Sequence, residues 1–303
     1  MVPWVLNESR YTVKVKNIVA AAVLTVFSSA GTTLAWGPDG HKMVARLAVA
    51  TLPADTPQFL RAESERLQFL NFEPDYWRDP IEEQLSPALR QGHDPDHHFH
   101  FELFGYGPLQ PDRYSFLDWT RRENKDPRAI GVLPYRAMEL FQRLRVSFRR
   151  WRAESDPKVA KDLEARIIDD AGILGHYIAD AAEPLHTSIH TTGWALPDNP
   201  RGFTRESSIH ARFEADYVHA RIKDDDVKRL LRPVQVSEDP WISIYQELRR
   251  SHDQVIRLYE LEKAMPFGPN NSDLAAASFV TERLADAAAT LRDLWYMAYR
   301  TSK

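Results

Sequence analysis

Beyond Trp36, wherever this chain is regularly patterned the period is helical, and no stretch of useful length alternates in the manner of a strand. Val44, Leu47 and Ala48 fall at helical spacing within Gly40 to Leu52. Pro134 to Arg152 sets Met138, Phe141, Leu144, Phe148 and Trp151 on one stripe with arginines opposite. Asp156-Pro157 reads as an N-cap with proline at the first helical position, opening a segment that runs to about Ala182. Further helices are predicted near 207–222, 240–263 and 273–299, the last rich in alanine. Apolar stripes on helices can be buried only against other helices, and no internal repeat is present. The predicted architecture is therefore a single all-α, multi-helix domain. Its 303 residues, 43% of them hydrophobic, are enough for a real core. The less regular stretches, about 71–132 and 187–206, are rich in Pro, Asp, Gly and aromatics. On a helical scaffold such connecting stretches are where function sits.

The N-terminus stands apart. Lys14 and Lys16 precede an apolar run, Ile18 to Phe27, and small residues follow up to Thr33-Leu34-Ala35. That order is the one found in a secretory signal, and the run is too short for a permanent membrane anchor. The alternative is a buried first helix. Residues 1–35 are read as a signal peptide and 36–303 as the working domain, secreted or periplasmic, with no transmembrane anchor after signal removal. Losing Glu8, Arg10, Lys14 and Lys16 takes the formal charge from −4 to −6. A mildly acidic body is unsuited to gripping long duplexes by phosphate neutralisation, although one phosphate can still be held through metal ions. There is no cysteine, which excludes both disulfides and thiolate metal sites.

Histidines and carboxylates recur at ligand spacing. His176 and Asp180 lie four apart in a strongly helical segment, and His186 follows just beyond Pro184. His210 and Glu214 repeat the four-residue step. Such pairs project from one helix face and deliver two donors to one ion; taken singly, each is more often a surface ion pair, and it is their recurrence that points to metal. Imidazole and carboxylate are the donors zinc takes when thiolate is absent. The run Asp96-His97-His98-Phe99-His100-Phe101-Glu102 adds three more imidazoles, and Asp75 stands beside Tyr76, Trp77 and Arg78. At the expected cleavage site, Trp36-Gly37-Pro38-Asp39-Gly40-His41 would present a free amine and a carbonyl on one residue, able to chelate a metal, with His41 a turn away.

Taken in order, Trp36, His41, Asp75, His97, the run His176, Asp180 and His186, then His210 and Glu214 resemble the superfamily of zinc-dependent phospholipases C and single-strand-specific zinc nucleases. The resemblance spans 36 to 214; the region after about 225 rests on helical texture. It implies an all-helical, secreted hydrolase with three Zn2+ per chain in a cleft between helices. One zinc would take Asp75, His97, His176 and Asp180, and a second His186, His210 and Glu214. The third would take the amine and carbonyl of Trp36, His41, and Asp180 as a bridge. A small shift of register would put His98 or His100 in place of His97. Zinc lowers the pKa of bound water to about 7, the chemistry a phosphodiesterase needs. Arg78 would assist charge development on the leaving group, and Asp75 would also orient the water.

The substrate divides the evidence. The steps from Trp36 to His41 and from His186 to His210, and Asp75-x-x-Arg78, resemble the nucleases; Glu214 and Pro74-Asp75-Tyr76 resemble the phospholipases. Trp77, Tyr106, Tyr114, Trp119, Trp194 and Phe203 lie in the irregular stretches and would stack bases or meet lipid, or simply pack the loops. Single-stranded nucleic acid is the preferred substrate, phospholipid the alternative, and a non-catalytic exported zinc protein the third reading. No stable protein partner is implied.

Overall fold

A computed structural model describes residues 36–105, 107–237 and 239–303, so the expected signal peptide lies outside the described residues. Six longer helices carry the architecture, numbered here in chain order: α1 (Gly37–Ala50), α2 (Ser64–Tyr76), α3 (Leu133–Ala153), α4 (Pro157–Ala181), α5 (Pro240–His252) and α6 (Leu274–Arg300). Among the described residues there is no strand. The chain is all-α, and no described helix is long and apolar enough to cross a membrane.

α4 packs along both α3 and α2, and α6 lies against α1, α3, α4 and α5. The α3 stripe behaves as its periodicity requires, with Phe141, Leu144 and Phe148 buried and Met138 and Trp151 half-buried against the core. α4 begins where Asp156 accepts the backbone N–H of Lys158 ahead of Pro157. It buries an almost unbroken run from Leu174 to Ala181. α6 turns inward Phe279, Leu284, Leu291 and Trp295 among many alanines, whose small side chains let its neighbours approach.

The α2–α4 contact is close. A Cβ on Gly172 would lie 2.4 Å from the Leu70 Cβ, and one on Gly175 would lie 2.2 Å from the Asn71 amide nitrogen. Glycine at these two positions therefore sets how near α2 comes to the polar end of α4.

The stretch 71–132 is more helical than its composition suggests. It holds short turns: Pro80–Leu85, Pro87–His93, Asp94–His97, Phe101–Phe104, Arg113–Arg122 and Pro127–Ile130. Asp79, Asp112 and Asp126 each cap one by accepting backbone N–H groups, and Gly105 and Gly131 end two of them at φ 91°. All but Arg113–Arg122 are too short to show a 3.6-residue period, so composition alone reads the stretch as loop. The segment near 207–222 is helical but contains a wider π turn, Arg212–Tyr217, between Ile209–Ala211 and Val218–Arg221. The segment 240–263 breaks at Asp253-Gln254 into α5 and Val255–Ala264.

Candidate metal centre

Three α-helices, two short turns and an α-to-π segment aim polar side chains at one buried point. α4 contributes His176 and Asp180 one turn apart, both fully buried. α1 contributes His41, α2 contributes Asn71 and Asp75 from its last turns, and the 3-10 turn Asp94–His97 contributes His97. His186 comes from the turn Pro184–Thr187, while His210 and Glu214 come from the α-to-π segment.

Asp180 stands at the middle. Its carboxylate lies 3.1 Å from His97 Nδ1, 3.3 Å from His176 Nε2, 3.5 Å from His41 Nε2 and 3.9 Å from His186 Nδ1. Asp75 lies 3.9 Å from both His97 Nδ1 and His176 Nε2, and is ion-paired to Arg78. His210 Nε2 is 2.7 Å from Glu214 and 3.1 Å from His186 Nε2. Donor atoms close enough to share an ion fall into three groups: Asp75, His97 and His176; His41, His176 and Asp180; and Glu183, His186, His210 and Glu214.

Several rings are anchored through Nδ1, which turns Nε2 toward the other donors. The Nδ1–H of His41 donates to Asn71 Oδ1 at 2.9 Å, that of His176 to the Asn71 carbonyl at 2.8 Å, and that of His186 to the His97 carbonyl at 2.5 Å. An imidazole that donates through Nδ1 must present its Nε2 lone pair, the arrangement that prepares a metal ligand.

The electrostatics point the same way. Burial pushes the carboxyls of Asp180 and Glu214 well above their ordinary range, raises Asp75, and lifts Glu183 to about 8. For Glu214, Asp75 and Asp180 add to the rise, while Arg78 and the Trp36 backbone oppose it. Burial also lowers the imidazoles, His176 to about 4 and His97 and His186 well below 6.5, with Arg78 opposing protonation in each case. Buried atoms without a hydrogen-bond partner collect at this spot: His97 Nε2, His210 Nδ1, Asp75 Oδ2, Glu183 Oε1 and Glu214 Oε1. Native chains seldom leave such groups unpaired, and buried charges are paired or bind metal. Neutral imidazoles beside buried carboxyls are the donors a divalent cation takes, and its charge would offset the burial that holds those carboxyls protonated, so this donor set fits zinc.

Of the residues singled out in the sequence, His41, Asp75, His97, His176, Asp180, His186, His210 and Glu214 converge here. Of the three imidazoles in the 97–100 run, His97 is the one grouped with Asp75 and His176. His98 and His100 stack on each other at 4.3 Å and donate to the carbonyls of Arg128 and Ala129. The Trp36 ring is fully buried against Phe213, and its indole N–H donates to the Ala179 carbonyl at 2.8 Å, holding the start of α1 against α4. Sequence reasoning missed Asn71 and Glu183. Glu183 carried a detectable signal, since it lies three residues from both Asp180 and His186; Asn71 carried none.

A cleft of about 310 Å³ opens over the group, lined by Arg78, His97, His186 and His210, with His98, His100 and Thr191 farther round. Among the described residues, none of the aromatics proposed for base or lipid contact lines it. Trp119 packs on Phe104 and Phe116, Trp194 stacks on His190 at 3.7 Å, and Phe203 is buried against Trp194. These three belong to loop packing. Trp77 lies beside His93, Tyr114 is exposed, and Tyr106 falls outside the described residues.

No protein-family model matches the chain, and neither does any curated protein. Solved structures do. A Clostridium perfringens alpha-toxin from an avian strain aligns at a TM-score of 0.41 and 14% identity, over 87% of this chain and 64% of the toxin. The alpha toxin of Clostridium absonum aligns at 0.39 and 17% identity, over 85% of this chain and 65% of the toxin. The chain thus spans less than two thirds of either toxin's length.

Proposed function

We propose that this chain is a zinc-dependent phosphodiesterase of the exported type. The observation that carries the reading is the convergence of eight predicted donors from six separate segments on one buried point beneath an open cleft, with Arg78 at its wall. Bound zinc would supply an acidified water and polarise a phosphoryl oxygen. The chain's own part is positioning. Asn71 and the His97 carbonyl orient His41, His176 and His186, and Asp180 ties the groups together. Arg78, paired with Asp75 and facing the cleft, is placed to receive a phosphate oxygen. Three ions remain our reading, the third held by His41, Asp180 and the Trp36 amine and carbonyl.

Processing after Ala35 is part of the same reading and would complete that third site. Trp36 has φ 48°, a left-handed conformation that costs a non-glycine residue energy. With the preceding peptide removed, no φ would exist to strain, and the freed amine would be available as a zinc donor.

Single-stranded nucleic acid remains the favoured substrate, supported by the nuclease-like spacings and by Arg78 reaching the cleft. Phospholipid is favoured by a different observation: Tyr76, Ile81 and Leu85, flanking Arg78 in the chain, are strongly exposed. Zinc-loaded protein assayed in parallel on single-stranded DNA, RNA and phosphatidylcholine decides between them. Turnover of none by protein that has bound its ions would leave only the non-catalytic zinc protein.

A further inference from the structure

Glu183 is the donor that the resemblance did not supply. It lies at the N-cap of the Pro184–Thr187 turn, where its Oε2 accepts the His186 N–H at 2.8 Å. A cap uses one oxygen and needs no charge. The other oxygen, Oε1, has no partner although the residue is fully buried. Glu183 Oε2 lies 4.0 Å from His186 Nε2, and Glu214 Oε2 lies 3.9 Å from it. One donor atom from each of Glu183, His186, His210 and Glu214 falls within 4.8 Å of all the others. Donors around a tetrahedral zinc with bonds of about 2.0–2.1 Å stand roughly 3.3 Å apart, so a small contraction would complete the shell.

We propose that Glu183 is a fourth protein ligand to the ion held by His186, His210 and Glu214, and that it closes that site. This rests on the metal-centre reading above. Two imidazoles and two carboxylates fill a tetrahedron and balance a divalent charge, as in sites that retain their ion. The groups Asp75, His97, His176 and His41, His176, Asp180 have His176 in common, and the Asp180 carboxylate also lies 3.1 Å from His97, so those ions share their donors. None of the four residues of the Glu183 group belongs to another group. The ion held by donors of its own is therefore the last to leave.

E183Q tests this, because glutamine keeps the volume and its side-chain oxygen still caps His186. Zinc-loaded wild-type and variant proteins are dialysed against graded chelator, and bound zinc is counted by atomic spectroscopy. Far-UV circular dichroism of the ion-free forms checks the fold. Wild type should keep one ion at chelator levels that strip the others, and the variant should lose that ion at least 10-fold earlier. The ion-free variant should be at least as stable as ion-free wild type, since a buried, unpaired carboxyl has gone. A folded variant that retains its ions as wild type does would overturn the proposal and leave Glu183 a cap alone. Wild type that takes up no zinc would overturn the metal-centre reading itself, and this proposal with it.

Discussion

Removing the ions should make the fold pH-sensitive in a direction that the buried groups specify. In the ion-free chain Glu183 titrates near 8 instead of 4.5, because burial disfavours its charged form. A carboxyl whose folded pKa is raised binds more protons folded than unfolded, so stability falls as pH rises from about 4.5 to about 8. The shift of about 3.5 units corresponds to roughly 5 kcal/mol over that whole window. His176 works oppositely. Its folded pKa is depressed to about 4, so the ion-free fold gains stability as pH rises from about 4 to about 6.5, by roughly 3 kcal/mol. Above pH 6.5 the His176 contribution is complete and Glu183 still titrates. Between pH 6.5 and 8 it alone removes about 2 kcal/mol. For a domain of this size that is about 4–8 °C in Tm. Thermal unfolding of chelated protein at pH 6.5 and 8 measures the drop. Zinc in thousandfold excess over Kd should stabilise the fold at both pH values by about 4 kcal/mol per ion, raise Tm accordingly and flatten the difference. A chelated protein equally stable at both values, with no gain on adding zinc, would refute the argument that these carboxyls await a cation.

Three further outcomes follow from the same geometry. His176→Ala and Asp180→Asn should each abolish hydrolysis, with Asp180→Asn losing more zinc because its carboxylate touches four imidazoles; full activity in either would reduce the pair to packing. Arg78→Ala should keep its zinc but turn over about 10²–10³-fold more slowly, as loss of one charge-stabilising donor does; an unchanged rate, with zinc intact, assigns Arg78 to holding Asp75. Protein beginning Met-Trp36 with the methionine retained should bind one ion fewer and act more slowly than protein beginning at Trp36, because a peptide nitrogen is a poor zinc donor; equal zinc content and rate would dismiss the N-terminal chelate.

Legibility differed from element to element. α3, α4 and α6 were readable because each is long enough for its apolar stripe to repeat several times. The short turns between 71 and 132 were not, because one turn has no period to display. His176 with Asp180, and His210 with Glu214, announced themselves by spacing along one helix. His97 did not separate from His98 and His100 in the sequence. Only its packing beneath α4 distinguishes it, and there the other two face carbonyls of the 128–129 turn instead.

The amino-acid order alone determined that this chain is all-helical and free of disulfides, and it marked which histidines and carboxylates stand at ligand spacing. Those properties are local, written in periods of three to four residues and in residue type. The tertiary structure decided the rest. It brought Asn71 beneath two histidines, made Glu183 an inward carboxylate instead of a loop charge, and drew Trp119, Trp194 and Phe203 away from the cleft into packing. The reason is that these outcomes depend on how closely two helices approach. Gly172 and Gly175 let α2 lie against α4 without a Cβ between them, and a stripe of hydrophobic residues does not encode that distance.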